Sequence, residues 1–396
     1  MTTASNYSPP DILPLSGLLV IDMAQFLSGP SAALRLGDLG ARVIKVERPE
    51  TGDICRQLYL TDTDMAGDST LFHAINRNKE SFAVDLKTRE GVEAALQLFT
   101  RADVVIQNFR PGVVERLGLD YMAARSVNPR VVYASISGYG ETGPWADWPG
   151  QDLLAQALSG VMWLNGSDAD GPVPVGLSIA DMLAGHIVLE GILAALVRRG
   201  ITGDGAHVQT SLLEAIVDFQ FEVLSTHLND KGRPPRRSAF NNAHAYLAAP
   251  YGVYATQDGH LALAMVSLEH LARLIDLPDI AQMVRDPQAA FARRDEIKRM
   301  IADRLLQKPT AAWLSLLQPA DVWCAPVLGW SDLLASEAFR RLDMLNTIVG
   351  NDDTRLMTTR SPMRIDGRRS ATTVAAPKVG EHTAKIRKEF GLGRRT

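Results

Sequence analysis

The N-terminal half of the chain alternates short apolar runs with helix-like segments, and this alternation restricts the fold more than any other feature. The helix-like segment TREGVEAALQLFTRA separates two of these runs, and GPSAALRLGDLG has a proline just inside its start and a glycine at its end. Strands that alternate with helices predict βαβ units and a mostly parallel sheet, so we expect an α/β fold. The predicted strands lie at residues 18–23, 41–47, 81–87, 103–108 and 130–138.

The second half of the chain indicates a smaller α+β unit. Long helical segments follow residue 150, and the Pro-, Arg- and Asn-rich stretch 232–250 then reads as a linker. YGVYATQDGHLALAMV comes next and predicts a hairpin that turns at Gln257-Asp258-Gly259. With 396 residues, about two domains are expected. We expect a large domain over 1–224, a small domain over 225–325, and a return to the large domain over 326–396.

Charge and cysteine usage exclude several classes of protein. The net charge of -4 and the absence of a long basic run argue against nucleic-acid binding. Two distant cysteines, Cys55 and Cys324, predict neither a disulfide framework nor a structural zinc site, and they fit a reducing compartment. The polar N-terminus lacks the pattern of a signal peptide, and the apolar stretch 182–197 is too short for a membrane span. We therefore expect a soluble cytoplasmic protein without a membrane partner or a bound metal.

A glycine-rich loop, GYGETG at 138–143, matches the GxGxxG pattern of dinucleotide-binding turns and follows a predicted strand. Pro144 and two tryptophans follow it in place of an amphipathic helix, so a plain glycine-rich loop is the better interpretation. Glu47 ends the second predicted strand, where a ribose-binding acid would lie in such a fold. Without the glycines we expect Glu47 to be a surface acid.

Asp181, in PVGLSIADMLAG, lies at the start of a long apolar helical segment. Aspartate is a favoured helix cap because its carboxylate accepts hydrogen bonds from the first free backbone amides. Those amides would also lower the carboxylate pKa and keep it ionised. An ionised carboxylate beside Ala180, Ala184 and Gly185 is open to a substrate and can act as a nucleophile. The residues alone permit both roles.

The chain resembles the family III CoA-transferases, which include formyl-CoA transferase and acetyl-CoA:oxalate CoA-transferase. The resemblance covers nearly the whole chain, and its segments occur in the same order. It rests on LLVIDMAQFLSGPSAALRLGDLGARVIKVERPETGD, NRNKESFAVDLKTREG, ADVVIQNFRPGVVERLGL, NPRVVYASISGYGETGP, PVGLSIADMLAG, APYGVYATQDG and APKVGEHT.

The resemblance implies that Asp181 is the nucleophile of a CoA-transferase. In this cycle, Asp181 attacks a donor acyl-CoA, and a mixed anhydride and an aspartyl-CoA thioester form in turn before a carboxylic acid takes up CoA. The resemblance also implies a Rossmann-like large domain, a homodimer of interlocked chains, and coenzyme A as a substrate without a permanently bound cofactor. We expect the acceptor to be a small acid, and in particular a dicarboxylate.

The CoA site carries over by motif to residues that follow the predicted strands. Their positions suit a ligand because ligands gather at the strand ends of open α/β sheets. Arginine suits the phosphates because its planar guanidinium bonds them in bidentate fashion. The implied residues are Leu27, Ser28, Arg48, Val84, Asp85, Leu86, Lys87, Asn108, Phe109, Arg110, Arg116 and Gln151.

Two departures from the family pattern bear on the reaction. The related acyl-CoA racemases use a histidine in a GHD segment, and this chain has Gly150-Gln151-Asp152; glutamine exchanges no proton near neutral pH, which disfavours a racemase or isomerase. Retention of Asp181 disfavours a non-catalytic CoA-binding protein.

The second departure is in the segment 233–246, which has no glycine run, whereas formyl-CoA transferase has a glycine-rich loop there. A flexible glycine lid and formate as acceptor are therefore not supported. We hypothesise that polar side chains of this segment bind the second carboxylate of a diacid; a surface linker is the alternative. The hypothesis concerns Arg236, Arg237, Asn241, Asn242 and His244.

Overall fold

The computed structural model describes residues 13–283, 289–350, 353–370 and 373–392. These residues form two compact units. The first takes in the described residues up to Ala155, then Ser178–Ile216, and those from Asp343 onward; the second takes in Gln156–Leu177 and Val217–Leu342. Most of the polar N-terminal segment discussed above lies outside the described residues.

The bounds of the second unit differ from the expected 225–325. Residues 156–177 belong to it because their backbone is hydrogen-bonded inside the unit: the Asp168 amide donates to the Ser238 carbonyl at 2.9 Å. The return to the first unit comes at Asp343, later than residue 326.

Thirteen strands are present in the described residues. They are β1 Leu19–Asp22, β2 Arg42–Glu47, β3 Asp64–Met65, β4 Asp68–Ser69, β5 Lys79–Ala83, β6 Val104–Gln107, β7 Val132–Ser137, β8 Ala206–Ser211, β9 Gly252–Ala255, β10 His260–Leu263, β11 Cys324–Pro326, β12 Leu345–Val349 and β13 Arg355–Thr359.

The helices connect and cover these strands. The α-helices are α1 Ser28–Asp38, α2 Thr70–Asn76, α3 Arg89–Phe99, α4 Val113–Leu117, α5 Tyr121–Val127, α6 Asp152–Ser159, α7 Ile179–Thr202, α8 Leu212–Phe219, α9 Phe221–Asn229, α10 Leu268–Leu274, α11 Pro278–Met283, α12 Ala289–Ala292, α13 Arg294–Leu305, α14 Thr310–Leu317, α15 Trp330–Ala335, α16 Glu337–Leu342 and α17 Thr383–Phe390. Short 3-10 helices lie at Ile54–Gln57, Val161–Trp163, Asp168–Asp170 and Gln318–Ala320.

A six-stranded parallel sheet forms the centre of the first unit, in the order β5-β2-β1-β6-β7-β8. All five predicted strands are confirmed, and the parallel α/β prediction is correct. The sixth strand, β8, was not predicted. It has one neighbour, β7, and several of its side chains are partly exposed, so it lacks the apolar run of a central strand.

The core of the first unit packs helices on the sheet. Ile21, Ile44 and Phe82 of adjacent strands are buried together with Leu98 of α3 and Ile386 of α17. Each such side chain contributes about 1.5–3 kcal/mol when it is fully buried. Helix α17, from the far end of the chain, thus closes the core that the N-terminal strands begin.

Helix α7 presents small and branched side chains to the protein interior at a spacing of about one helical turn. Ala180, Ala184, Val188 and Ile192 are buried. The helix has 24 residues, and its length and composition would also let it cross a membrane, so the prediction that this stretch is too short was wrong. A single such helix is weak evidence for a membrane, since core helices share these properties.

The second unit has its own core beneath an antiparallel sheet, β11-β10-β9. The hairpin predicted at Gln257-Asp258-Gly259 is confirmed, since β9 pairs with β10 in antiparallel register. Tyr254 and Leu261 of this hairpin pack with Trp313 of α14 and Ile301 of α13.

Candidate active site

Asp181 is the third residue of α7 and does not cap it. Ser178 is the N-cap residue, and its side chain makes no capping hydrogen bond. The free amides of Ala180 and Asp181 instead donate to Oδ1 of Asp152, at 2.6 and 3.2 Å. Of the two roles that the residues permitted for Asp181, the capping of its own helix is therefore wrong, because a carboxylate from another segment occupies the amides.

The carboxylate of Asp181 lies close to Ser28, whose hydroxyl and backbone amide favour its ionised form and act to lower its pKa. Ser28 is the first residue of α1, so its amide is one of the free amides at the positive end of that helix. The carboxylate thus lies at the N-terminus of α1, although its backbone belongs to α7.

Burial raises the pKa of Asp181 to about 6, and the charge of Asp152 adds to this effect. The hydrogen bonds from Ser28 act in the opposite direction. The pKa of Asp181 was predicted to be lowered by the helix amides, and this was wrong because burial and a second carboxylate act in the opposite direction. Asp181 is ionised at neutral pH and is more basic than an ordinary aspartate, which favours nucleophilic attack.

A glycine lets α7 approach α1 closely behind the carboxylate. A Cβ on Gly185 would lie 2.4 Å from Oγ of Ser31 and 2.8 Å from the carbonyl oxygen of Ser28. Both distances are too short for a side chain. The small residues beside Asp181 therefore set the distance between the helices, which is what the Ser28 contact requires.

The loop between β1 and α1 is held by side chains from neighbouring strands. Asn108, directly after β6, accepts from the Gln25 amide at 2.8 Å and donates to the Gln25 carbonyl at 2.7 Å. Lys45 of β2 donates to the Ala24 carbonyl at 3.0 Å. The backbone leading to Ser28 is thus fixed from two strands.

Buried ion pairs lie beneath this loop. Lys45 is fully buried and lies 2.6 Å from Asp53, whose other oxygen accepts from the Phe26 amide at 3.3 Å. Lys45 and Asp53 were missed in the sequence, since nothing in a lysine's sequence context marks it as buried. Phe26 has a φ of 63°, a left-handed conformation that is uncommon for an aromatic residue, and its side chain is 46% exposed.

Glu47 is buried, and the expectation of a surface acid was wrong. Its carboxylate is 2.7 Å from Arg56 and accepts from the Ser81 hydroxyl and the Asp53 amide. A buried carboxylate with these partners is structural and is not available to a ribose.

The implied CoA-binding residues all belong to the first unit, and most lie where strands of the parallel sheet end. Leu27 and Ser28 follow β1, Arg48 follows β2, the run 84–87 follows β5, and the run 108–110 follows β6. Arg48, Asp85, Lys87, Arg110, Arg116 and Gln151 are exposed, Val84 is buried, and Leu27, Leu86, Asn108 and Phe109 are intermediate.

A cavity of about 210 Å³ lies beyond the ends of β6 and β7 and is lined in part by Phe109, Arg110 and Glu115. The exposed cations and this cavity therefore lie at the same edge of the sheet, the one formed by the carboxyl ends of its strands.

The glycine-rich loop has a packing role. A Cβ on Gly138 would lie 2.6 Å from Cα of Gly150, so the two backbones touch where β7 ends. This contact brings the segment with Gln151 and Asp152 to the end of β7. The two ends of the loop between these glycines are also joined, because the Tyr139 hydroxyl donates to the Pro149 carbonyl at 3.0 Å.

The polar side chains of segment 233–246 are largely used inside the second unit. Arg237 is buried and donates to the carbonyls of Asn165 and Gly171, each at 2.6 Å. Asn242 donates to the Gly166 carbonyl at 3.0 Å. The hypothesis that this segment binds a diacid is therefore wrong for Arg237 and Asn242. Arg236 is exposed, Asn241 and His244 are intermediate.

No group of three or more His, Cys, Asp or Glu residues that could hold a metal is found in the described part of the chain.

Comparison with known proteins agrees with the resemblance noted in the sequence. The model of CoA-transferase family III matches residues 15–383. Succinate–glutarate CoA-transferase of Agrobacterium fabrum is 33% identical over all of this chain and 99% of its own length. Acetyl-CoA:oxalate CoA-transferase of Acetobacter aceti is 34% identical over 95% of this chain and 96% of its own.

A solved structure is similar over almost the whole chain. The crystal structure of a CAIB/BAIF family protein from Brucella suis is 32% identical, covers 96% of this chain and 100% of its own, and has a TM-score of 0.82. With the parallel sheet and the family match over most of its length, the chain belongs to CoA-transferase family III and is an enzyme of that family.

Proposed function

We propose that this enzyme moves CoA from an acyl-CoA to a small dicarboxylic acid, with Asp181 as the covalent nucleophile. The observation that carries the proposal is that one carboxylate caps helix α7 and leaves the other free of that role. Asp152 occupies the amides of α7, and the Asp181 carboxylate meets Ser28 at the start of α1. A carboxylate that is released from capping and lies beside two donor groups is suited to attack a carbonyl.

The proposed cycle exchanges thioesters and anhydrides, so no external energy source is needed. The Asp181 carboxylate attacks the thioester carbonyl of the donor; a mixed anhydride forms and CoA thiolate leaves. The thiolate attacks the aspartyl carbonyl, which gives an aspartyl-CoA thioester and the free donor acid. The acceptor carboxylate attacks this thioester and again releases the thiolate. The thiolate then attacks the acceptor's acyl carbon, and Asp181 returns as a carboxylate.

Ser28 has two tasks in this cycle. In the resting state its hydroxyl and amide lie close to the carboxylate and favour the ionised form, which is the form that attacks. When a carbonyl of the aspartyl group is attacked, negative charge develops on its oxygen. Donors already aimed at that group stabilise the charge without rearrangement.

The names of the relatives support a dicarboxylate acceptor. The protein of Agrobacterium fabrum is named for succinate and glutarate, and that of Acetobacter aceti for oxalate. All three acids carry a second carboxylate.

The CoA site is proposed at the ends of β1, β2, β5 and β6. The exposed cations Arg48, Lys87, Arg110 and Arg116 would bind the phosphates, since they lie on the side of the sheet where Ser28 and Asp181 meet. Leu27, Asn108, Phe109 and the run 84–87 would contact the rest of the cofactor.

Two further features belong to the proposal. Counted along the chain, the strand order of the large sheet is 3-2-1-4-5-6, which supports a Rossmann-like unit. Trp323 and Trp330 are 60% and 82% exposed in the second unit, which supports a surface covered by a second copy in a homodimer. Interlocking of the two chains stays a prediction, and light scattering after gel filtration tests the dimer.

Trapping of the intermediate tests the function directly. The protein is incubated with a panel of acyl-CoAs and a panel of mono- and dicarboxylates, treated with hydroxylamine or borohydride, and digested for mass spectrometry. We expect a mass change on the peptide with Asp181 that depends on the acyl-CoA, and product acyl-CoA when a dicarboxylate is present. Asp181→Ala should lose both while CoA binding persists. An unmodified peptide across the panel, with CoA bound and an α-proton of the substrate exchanging with D₂O, would instead identify a racemase.

A further inference from the structure

Asp152 is the residue in the site whose role the proposed cycle does not use. It begins α6, and its side chain is nearly fully buried. Its Oδ1 accepts from the amides of Ala180 and Asp181, the second and third residues of α7. Helix caps usually come from the residue that precedes the helix, and the residue in that place, Ser178, makes no such bond.

The bond to the Asp181 amide fixes the backbone of the nucleophile itself. Because the same oxygen also holds Ala180, the first turn of α7 has a defined position relative to the start of α6. The Asp181 side chain is then free to turn to Ser28. Without Asp152, the Asp181 carboxylate would be the nearest acceptor for its own helix's free amides, as the local sequence pattern suggests.

The position of Asp152 is fixed in turn by the backbone contact between Gly138 and Gly150. That contact places the start of α6 at the end of β7, in the rigid sheet. A path of backbone and hydrogen bonds therefore runs from the sheet through Asp152 to Asp181.

We propose that Asp152 is a positioning residue for CoA transfer: it replaces Asp181 as the cap of α7 and keeps a negative charge beside the nucleophile. This inference rests on the proposed role of Asp181. Its charge also contributes to the raised pKa of Asp181, after burial. A carboxylate that is more basic and is held in one orientation is a better nucleophile than a capping carboxylate.

Two variants separate the two contributions. Asp152→Asn keeps an oxygen that accepts from the amides and removes the charge. We expect the acidic limb of the kcat/KM–pH profile, set near pH 6 by Asp181, to move to lower pH, because a cause of the raised pKa is gone. Asp152→Ala also removes the acceptor, and we expect kcat to fall on the order of 10²-fold, since small displacements of a reacting group have effects of this size. CoA affinity should stay unchanged in both.

Asp120→Ala is the matched control. Asp120 caps α5 and accepts from the Ala123 amide at 2.8 Å, so it has the same structural role at another helix of the first unit. We expect it to lose stability without a change in kcat or in the pH profile. Thermal unfolding of each variant shows whether it is folded.

The inference and the proposed function fail in different ways. If the wild-type protein forms an adduct on Asp181 while folded Asp152→Asn and Asp152→Ala keep the wild-type rates and pH profile, Asp152 is not a positioning residue. An absent adduct in the wild-type protein instead overturns the proposed function, and the inference with it.

Discussion

Replacement of Asp181 by asparagine should stabilise the folded protein at neutral pH while it abolishes turnover. The folded protein raises the pKa of Asp181 from 3.8 to about 6. A pKa difference of one corresponds to about 1.4 kcal/mol, so ionisation of Asp181 in the folded state costs about 3 kcal/mol of unfolding free energy. Because the pKa of Asp181 is raised, its contribution to the free energy of unfolding is fully present below pH 4 and is lost as the pH rises through 6. Asparagine avoids this loss, and its carbonyl can still accept from Ser28.

The assay is thermal or urea unfolding of the wild type and Asp181→Asn at pH 4 and pH 7.5. We expect a gain of about 2–3 kcal/mol at pH 7.5, or about 2–4 °C in Tm for a chain of this length, and almost none at pH 4. Asp258→Asn is a control of opposite sign, because the amide and hydroxyl of Thr310 hold the pKa of the exposed Asp258 below its usual range. A difference between wild type and Asp181→Asn that is equal at both pH values would refute the reasoning.

Three further outcomes follow from the packing of the first unit. Gly185→Ala should cost about 1–3 kcal/mol of unfolding free energy and reduce kcat, because its methyl carbon would lie 2.8 Å from a backbone carbonyl of α1. The control is Gly200→Ala in the same helix, which has no neighbour within 4 Å and should stabilise the protein by up to about 1 kcal/mol. Urea unfolding compares the two variants. Asp53→Asn should destabilise by about 3 kcal/mol in the same assay, since it removes the nearer of the two carboxylates paired with buried Lys45 and leaves Asp22 at 3.9 Å; a variant as stable as the wild type would contradict that account. Burial raises the pKa of Cys55 to about 12, so iodoacetamide at pH 8 should label it only after unfolding, as peptide mass mapping will show.

The central sheet was predictable because its strands are buried on both faces and therefore read as continuous apolar runs. The strands that were missed lack this property. β8 lies at the sheet edge and carries polar residues, and the hairpin β12–β13 is a two-stranded element whose side chains are mostly exposed or intermediate. Local sequence patterns therefore predict strands that are buried on both faces well, and partly exposed edge strands poorly.

Asp181, the proposed nucleophile, could be placed from its motif, and its surroundings could not. Asp152 lies 29 residues before Asp181, and no local pattern indicates that its carboxylate caps α7. The same holds for Arg237, which the sequence offered as a substrate cation and the fold uses against backbone carbonyls. Residue type indicates what a side chain can bind, and only the tertiary structure decides which partner it meets.

The contact between Gly138 and Gly150 has a consequence for how such an enzyme can diversify. It closes residues 139–149 into a loop whose two ends are fixed, and this excursion carries Trp145 and Trp148, which are 38% and 49% exposed. Insertions, deletions and exchanges between these ends leave the path to Asp152 unchanged. A library of whole-loop exchanges confined to this excursion would therefore sample surface variation on an unaltered scaffold.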